Sequence, residues 1–541
     1  MSKLLYISKR ENSKDKEELK ILKAICQQVT PDNLKPNPPF ISGKDGIYIG
    51  ILNPKSVLRE NNSVCLGNLL NDGRHHQWFQ PQTAIPDGTF ALFRANAQYI
   101  ELASDATGSR TIWYFHSDDL FIASTSQRMI ISYLRDFKPN KKVYSWVLST
   151  GSLGPGNSWD ERIKPLPGNS KLVLDRSSWT IKLEIKAPRF DAIESSLSEH
   201  FERLKAAIEF TFKQLHLNYS QWVLPLSGGY DSRAILMHLP NKNDIKTITW
   251  GLSSSVKEKD TDAYVAKQVS SHYGCSNKYY VTDISKKESI EVIFDRFLKT
   301  GEGRIDHISG YLDGFTLWNT LHKDGIAGII RGDEGFGWVL CKTEKQARRQ
   351  LGMALLSDYQ NLENRYKEWE VETNTLPDSF RRNENETVAT WRDRLYHQFR
   401  IPVVLAALND LKLSHVEIIN PLLSHLIIKE VRKLPDELRT RKMLFKQIVD
   451  SKGPNINYAK QGSNQNLKGF LKNDEAIRVI EEELRNSSVL SDKLTQSLIP
   501  EMQLKRVQTG ENVDLNLISF RAFIISRMDS ILKGDARFLR K

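Results

Sequence analysis

A glycine-containing hexapeptide in the middle of the chain is the sequence feature that most constrains the fold. It reads Ser227-Gly228-Gly229-Tyr230-Asp231-Ser232. The apolar run 222–226 before it predicts a buried strand, and residues 233–239 after it predict a helix that stops at Pro240. A strand, a glycine turn and a helix in this order can present backbone N–H groups and a helix N-terminus to an anion.

The side chains of the hexapeptide favour a phosphate group together with a divalent cation. The segment lacks the GxxxxGK[ST] pattern of the common P-loop. The hydroxyl groups of Ser227 and Ser232 can donate to phosphate oxygens, whereas a bare Asp231 carboxylate would be repelled by them. A divalent cation between carboxylate and phosphate removes that repulsion. An ordinary glycine turn with a Ser/Asp helix cap is the alternative, and it accounts less well for both serines.

Strands alternate with helices around the hexapeptide. Further strands are predicted at 247–250, 279–281 and 326–330. One of the intervening helices begins near Asp262. This alternation predicts right-handed crossovers and a parallel sheet. Beyond residue 340 we expect mainly helices, with 358–400 as an exposed, charged helical segment.

The first 190 residues have a different texture, with short β-like runs between turn-forming residues. These runs are 90–93, 99–102 and 120–123, and a closing hairpin is predicted from 171–174 and 179–183. The chain has 541 residues, about three times a typical domain. We therefore predict two domains, 1–190 and 195–541, with the boundary near Pro188.

Composition excludes several classes of protein. The charge is 77 − 65 = +12, but acidic residues are interleaved with the basic ones, which disfavours nucleic acid as a partner. The four cysteines lie far apart without zinc spacing, so we expect reduced, mostly buried thiols. Apolar runs are too short for a membrane span or a secretory signal. These features predict a cytoplasmic protein with no membrane partner.

The hexapeptide resembles the SGGxDS pyrophosphate loop of the ATP pyrophosphatase family, whose members cleave ATP to AMP and pyrophosphate. Other segments resemble its asparagine synthetase branch. Residues 329–338 look like the SGxGxDExFGGY element with Arg331 at the usual Ser, and 416–423 are similar to the ER-x-PFLD element. Residues 87–91, 105–110 and 121–124 resemble parts of the glutaminase domain of that branch. The resemblance spans most of residues 85–465.

This resemblance implies a fold and an activity. The fold would be α/β and α+β, with an N-terminal Ntn-hydrolase-like αββα sandwich and a C-terminal Rossmann-like parallel α/β synthetase domain with added helices. The activity would be ATP-dependent amide formation, in which a carboxylate becomes an acyl-adenylate and an amine then attacks it. ATP and Mg²⁺ are the implied cofactors, and a small-molecule or peptide carboxylate and an amine are the implied partners.

The resemblance also implies roles for particular residues. Asp231 and Asp333 would bind magnesium. The nucleotide would contact Leu226, Ser227, Gly228, Gly229, Asp231, Ser232, Trp250, Gly251 and Gly332. Lys460 would stabilise charge at the reacting carbonyl, and Glu334 would orient Asp333 or accept a proton from the amine. Lys442 is the less favoured lysine, because 441–449 is predicted as a helical run and its effect would be on ATP or pyrophosphate binding.

One departure from the family concerns the N-terminus. The glutamine-dependent enzymes use a cysteine exposed by removal of the initiator methionine, and here Ser2 occupies that position. A hydroxyl ionises far less readily than a thiol, so a serine nucleophile is the disfavoured alternative. We predict that the N-terminal domain has no glutaminase activity and serves a structural role.

Three other functions remain open from the sequence. The amine can belong to the substrate itself, which gives ring closure as in β-lactam synthetases and lasso-peptide cyclases. A tRNA-modifying ATP pyrophosphatase is a second alternative, and a non-catalytic binding descendant is a third. The sequence does not name the carboxylate, the amine or the oligomeric state.

Overall fold

The computed structural model describes residues 2–11, 15–54, 57–70, 77–504 and 511–540. These residues form two six-stranded antiparallel sheets followed by a five-stranded parallel sheet, with helices around all three. The expected mixture of α and β structure with a parallel sheet is therefore confirmed. The four cysteines are buried and unpaired, also as expected.

The N-terminal part contains the two antiparallel sheets. The first has the order β10-β8-β9-β1-β3-β2, with β1 (Lys3–Lys9), β2 (Phe40–Lys44), β3 (Ile47–Leu52), β8 (Trp113–His116), β9 (Leu120–Ser124) and β10 (Lys164–Pro165). The second has the order β12-β11-β7-β6-β5-β4, with β4 (Val57–Glu60), β5 (Ser63–Leu69), β6 (Gly88–Ala95), β7 (Tyr99–Ser104), β11 (Ser170–Asp175) and β12 (Thr180–Ile185). The predicted closing hairpin is β11 paired with β12.

Alternating side chains pack these two sheets face to face. Leu4 and Tyr6 of β1 share a core with Leu102 of β7, whereas Leu5 and Ile7 face the helices on the other side of the first sheet. Those helices are α1 (Asp15–Gln28) and α2 (Gln127–Leu134). On the outer face of the second sheet, Phe90 and Leu92 pack with Trp78 and Ile85 from an irregular segment. The two sheets thus form a sandwich with helices on the outer face of the first sheet, and the αββα architecture stays a prediction.

The parallel sheet lies in the second half of the chain. Its strands are β13 (Trp222–Pro225), β14 (Lys246–Gly251), β15 (Asn277–Val281), β16 (Gly328–Ile330) and β17 (Glu417–Ile419), in the order β15-β14-β13-β16-β17. The strand order reverses between β13 and β16. In sheets of this kind, ligands bind beyond the carboxyl ends of the strands at such a reversal.

Helices cover both faces of the parallel sheet. The helices after α2 are α3 (Lys142–Thr150), α4 (Leu197–Lys213), α5 (Tyr230–His238), α6 (Asp262–His272), α7 (Ile290–Gly301), α8 (Thr316–Lys323), α9 (Glu344–Leu351), α10 (Arg365–Glu368), α11 (Val388–Leu395), α12 (Ala406–Leu413), α13 (His425–Val431), α14 (Asp436–Arg439), α15 (Met443–Lys452), α16 (Leu467–Phe470), α17 (Asp474–Arg485), α18 (Asp492–Leu504) and α19 (Leu515–Arg537). Trp222 and Leu224 of β13 pack on α4, α5, α6 and α15, whereas Val223 packs in the core that contains α7, α8 and α12.

The segment 358–400 corrects one prediction. It contains the short helices α10 and α11 and the 3₁₀ turns Gln360–Leu362 and Asp378–Phe380 before a π-helix, Tyr396–Leu405, rather than one exposed helical stretch. Trp369 and Trp391 are fully buried, and so are Arg392 and Asp393. The high charge density misled the prediction, because Arg392 and Arg439 both pair with Asp393 inside the protein instead of facing solvent.

The C-terminal helix connects the two halves of the chain. α19 packs against α2 and α3, and Arg128 of α2 forms two hydrogen bonds with Asp535 of α19, at 2.7 and 2.9 Å. An exposed irregular segment, 186–196, follows β12, close to the predicted boundary, which stays a prediction. None of the helices in the described ranges has the length and apolar character needed to span a membrane.

Candidate functional site

A cavity of about 290 Å³ lies beyond the carboxyl ends of β13, β14 and β16, at the reversal of strand order. Seven residues selected from the sequence line it: Leu226, Ser227, Asp231, Ser232, Trp250, Gly332 and Asp333. The two segments that supply most of them are about a hundred residues apart in the chain. The fold therefore brings the hexapeptide and the 331–333 segment to one place.

The hexapeptide forms a tight turn into α5. The Ser227 N–H donates to Ser232 Oγ at 3.1 Å, and the Gly229 N–H donates to Ser227 Oγ at 3.2 Å. α5 begins at Tyr230, slightly earlier than predicted, and no side chain caps its N-terminus. The N–H groups of its first turn lack partners within the helix, so they are suited to binding an anion.

Three glycines allow close approaches around the cavity. A Cβ on Gly228 would lie 2.3 Å from Ala459 Cβ, and one on Gly251 would lie 2.4 Å from Ser463 Cβ. A Cβ on Gly332 would lie 3.0 Å from Asp231 Cβ. These contacts place the loop 453–466 against the hexapeptide and the 331–333 segment against Asp231.

We expect Gly228→Ala to weaken both the fold and the site. The added methyl would overlap Ala459, and overpacking of this kind costs about 1–3 kcal/mol of unfolding free energy. Thermal unfolding and ligand binding would both report the loss. Gly310→Ala is the matched control, because a Cβ there meets nothing within 4 Å. Equal stability of the two variants would contradict the packing argument.

Lys442 is the cation at the centre of the site. Its Nζ lies 3.0 Å from both Asp231 carboxylate oxygens and 2.9 Å from Glu334 Oε1. Burial by itself would lower the pKa of Lys442, but the Glu334 and Asp231 carboxylates raise it well above its usual range. The side chain is 19% exposed and stays an ammonium group at neutral pH.

The backbone at Lys442 corrects the predicted helical run 441–449. α15 begins at Met443, and both Arg441 and Lys442 adopt left-handed conformations, with φ of 59° and 58°. This turn precedes the helix and directs Lys442 towards Asp231 and Glu334. Non-glycine residues seldom adopt positive φ, so periodicity alone could not reveal this turn.

Glu334 is buried directly behind Lys442. Its side chain is 3% exposed, and its Oε2 accepts a hydrogen bond from the Phe336 N–H at 2.6 Å. Its Oε1 accepts one from the Tyr396 hydroxyl at 3.3 Å. Burial raises the pKa of Glu334, and the neighbouring Lys442 ammonium opposes that rise. Glu334 therefore orients Lys442 and is shielded from solvent.

Asp333 is held by two polar side chains. Arg331 donates to Oδ1 at 3.1 Å, and Asn409 of α12 donates to Oδ2 at 2.6 Å. Arg331 Nε and Asn409 Oδ1 have no hydrogen-bond partner among the described residues. These two buried polar atoms lie next to the Asp333 carboxylate that both side chains hold.

Asp231 and Asp333 are two carboxylates on the cavity wall that could hold a divalent cation, in exchange for the hydrogen bonds that their oxygens accept in this structure. Such sites commonly use one or two carboxylates, and phosphate oxygens and waters complete the coordination. In the part of the chain that the structure describes, no group of three or more His, Cys, Asp or Glu side chains is arranged to hold a metal. Two carboxylates with Lys442 and Arg331 beside them suit a metal that arrives with an anionic ligand.

Comparisons with known proteins give only distant similarities. No family model and no curated protein matches the sequence. Among solved structures, the allosteric regulatory enzyme of purine biosynthesis aligns at 8% identity over 60% of this chain and 88% of its own, with a TM-score of 0.22. The glutamine phosphoribosylpyrophosphate amidotransferase from B. subtilis, complexed with ADP and GMP, aligns at 8% identity over 60% and 90%, with a TM-score of 0.21. Similarity this low assigns neither a fold family nor an activity.

Lys460 does not lie with the other selected residues. Its side chain is 78% exposed, and its Nζ pairs with Asp260 at 3.1 Å. Its loop nevertheless packs on the hexapeptide, because the Ala459 N–H donates to the Gly228 carbonyl at 3.1 Å. Contact between Lys460 and a ligand in the cavity would require its side chain to leave Asp260.

Trp250 lies at the end of β14 on one wall of the cavity. Its ring meets Trp318 edge to face, with 5.4 Å between ring centroids. The Leu226 N–H donates to the Ile248 carbonyl at 2.8 Å, which keeps the start of the turn aligned with β14. Half-buried Trp250 therefore offers a rigid apolar surface beside the turn.

Asp262 is a cavity residue that the sequence analysis did not select. Its Oδ1 accepts a hydrogen bond from the Gly228 N–H at 2.9 Å, and burial raises its pKa. It is the first residue of α6, which follows β14. The rule that strand ends form the crevice could have identified it, because α6 starts beside the same edge of the sheet. Asn409 carried no such signal, since it reaches Asp333 from a distant helix.

Proposed function

We propose that this protein is an ATP-dependent amide-forming ligase resembling asparagine synthetase. The observation that carries the proposal is the meeting of the hexapeptide, Asp231 and Asp333 at one cavity at the reversal of strand order. The crevice is lined by a helix N-terminus, the Asp231 and Asp333 carboxylates and Arg331, and Lys442 contacts Asp231. This combination suits a nucleoside triphosphate with its metal. The resemblance of the hexapeptide and of 329–338 to the asparagine synthetase branch supplies the reaction class.

Some residues of the cavity would bind the nucleotide, and others would hold the metal ion that balances its phosphate charge. The α5 N-terminus and the hydroxyl groups of Ser227 and Ser232 would hold the departing pyrophosphate. Asp231 and Asp333 would hold Mg²⁺, which neutralises phosphate charge when bound. Trp250 would pack against the base.

Lys442 would change partners when the nucleotide binds. In the structure its ammonium group pairs with both Asp231 and Glu334. If Asp231 held a metal ion instead, Lys442 would stay anchored by Glu334 and would direct an ammonium N–H at a phosphate or carbonyl oxygen. A preorganised cation of this kind stabilises negative charge that develops during the reaction.

ATP–pyrophosphate exchange with candidate carboxylates, aspartate first, is the experiment that tests the proposal. Carboxylate-dependent exchange together with AMP formation would support it. Adding ammonia or an amine in the second step separates intermolecular ligation from ring closure within one substrate. If no free or peptide carboxylate supported exchange and AMP release depended on tRNA instead, the results would favour a tRNA-modifying enzyme.

We expect no glutamine hydrolysis. Ser2 has no exposed surface, and its Oγ has no hydrogen-bond partner among the described residues, so no described side chain is in place to accept its proton and no glutamine can reach it without rearrangement. Glutamate release should be equal in the wild type and in Ser2→Ala, with or without ATP. Glutamate production that disappears in Ser2→Ala would contradict this prediction.

A further inference from the structure

An exposed apolar strip lies on β12, in the N-terminal part of the chain. Ile181, Leu183 and Ile185 are 37%, 39% and 53% exposed. β12 is the last strand at one edge of the second sheet, and β11 is the strand that pairs with it. An edge strand with exposed apolar side chains is a template for pairing with another strand.

The backbone of β12 is set up for such pairing. The Lys186 N–H donates to the Asn169 carbonyl at 3.0 Å, so even-numbered residues direct their N–H groups towards β11. Backbone groups alternate along an antiparallel strand. Ile181, Leu183 and Ile185 therefore direct their N–H and C=O groups to the open edge. The residues with exposed apolar side chains are also those with available backbone groups.

The charges on β12 are complementary to a second copy of the same strand. Lys182 and Glu184 flank Leu183 and are 78% and 41% exposed. When two copies pair in antiparallel orientation about Leu183, Lys182 of each lies opposite Glu184 of the other. The same register places Ile181 opposite Ile185, and the outward backbone groups of these residues face each other. Opposite charges at facing positions stabilise a strand pair.

We propose that β12 pairs with β12 of a second copy of this chain, with Leu183 at the twofold axis. The second six-stranded sheet of one copy then joins the same sheet of the other copy edge to edge. A twofold interface requires a self-complementary patch, and the Lys-Leu-Glu centre of β12 meets that requirement. A single pair of six-residue strands buries less than the roughly 1,200 Å² of a standard interface, so the dimer dissociates on dilution.

Substitutions that reverse the charges of Lys182 and Glu184 test the register of the proposed strand pair directly. Sedimentation of the full chain between about 1 and 100 μM would measure the dimer dissociation constant. Lys182→Glu and Glu184→Lys each place like charges opposite each other twice, and each should weaken the dimer by about tenfold or more. The double variant restores opposite charges and should recover wild-type association. Lys493→Glu changes the net charge equally at an exposed site far along the chain and should have no effect.

Thermal unfolding of each variant separates loss of association from loss of fold. Lys182 is exposed, so the Lys182→Glu monomer should melt like the wild type. Glu184→Lys also removes the contact of Glu184 with Lys171 on β11, so its monomer should melt slightly lower while remaining folded. A wild-type chain that stays monomeric throughout this range would overturn the proposal and leave the edge to a strand of a different protein. The proposal would also be overturned if neither single variant changed the dimer dissociation constant, or if the double variant did not restore the wild-type value.

Discussion

Asp231→Ala is expected to lower ATP–pyrophosphate exchange by about 10²-fold or more while the fold is retained. The carboxylate is the hexapeptide's only acidic group and lies on the cavity wall, where the proposed metal would bind. Its side chain is 32% exposed, so its removal leaves no large internal gap. Lys442 keeps Glu334 as a partner in the variant, which limits the loss of stability.

The measurement needs one control and one binding assay. Asp324→Asn changes the charge of an exposed aspartate that forms a long contact with Lys278, and exchange should remain at the wild-type level. Nucleotide binding without magnesium should persist in Asp231→Ala, because the repelling carboxylate has gone. Retention of more than about a tenth of wild-type exchange would exclude Asp231 as a metal ligand.

Lys442→Met should have an equally large effect on activity together with a loss of stability. Removal of the ammonium group takes a preorganised cation from the site, which we expect to lower exchange by about 10²-fold or more. It also leaves the buried Glu334 carboxylate without its cation, and breaking a buried pair in this way costs up to about 3–5 kcal/mol. Exchange kinetics and thermal unfolding would measure the two effects separately.

The stability loss should depend on pH. Burial raises the pKa of Glu334, and removing Lys442 leaves the hydrogen bond from the Phe336 N–H to oppose that rise without the nearby ammonium group. When a carboxyl group has a higher pKa in the folded protein than in the unfolded chain, the free energy of unfolding falls as the pH rises from the unfolded pKa towards the folded pKa. Lys442→Met should therefore melt closer to the wild type at about pH 5 than at about pH 8. Glu334→Gln in the Lys442→Met background should recover stability without recovering activity.

Lys460→Met is the comparison that distinguishes the two lysines. The sequence-based expectation is a loss of amide formation of about 10²-fold with little change in ATP affinity. In the structure Lys460 is on the surface, whereas Lys442 contacts the cavity-lining carboxylate of Asp231, so we expect the larger loss in Lys442→Met. If Lys442→Met kept wild-type activity and Lys460→Met were inactive, the result would mean that the 453–466 loop rearranges over the bound nucleotide.

The local pattern of the chain determined much of the architecture. Apolar runs beside turn-forming residues are local signals, and they correctly predicted four of the five strands of the parallel sheet, β13 to β16, and the β11–β12 hairpin. The short strand β17 was not predicted. The hexapeptide is also local, since its glycines, serines and helix start are adjacent in the chain. Its position between β13 and α5 could therefore be predicted from the sequence alone.

Tertiary structure alone decided how charge is distributed in the site. Lys442 reaches Asp231 across 211 positions through a left-handed turn, and Asn409 reaches Asp333 across 76. Burial then determines which of two similar lysines remains beside the carboxylates and which faces solvent. The same limit explains the error at 358–400, because charge density along a sequence does not show whether a charged group is solvated or paired inside the protein. Secondary structure follows from neighbouring residues, whereas side-chain pairing depends on elements that meet only when the chain folds.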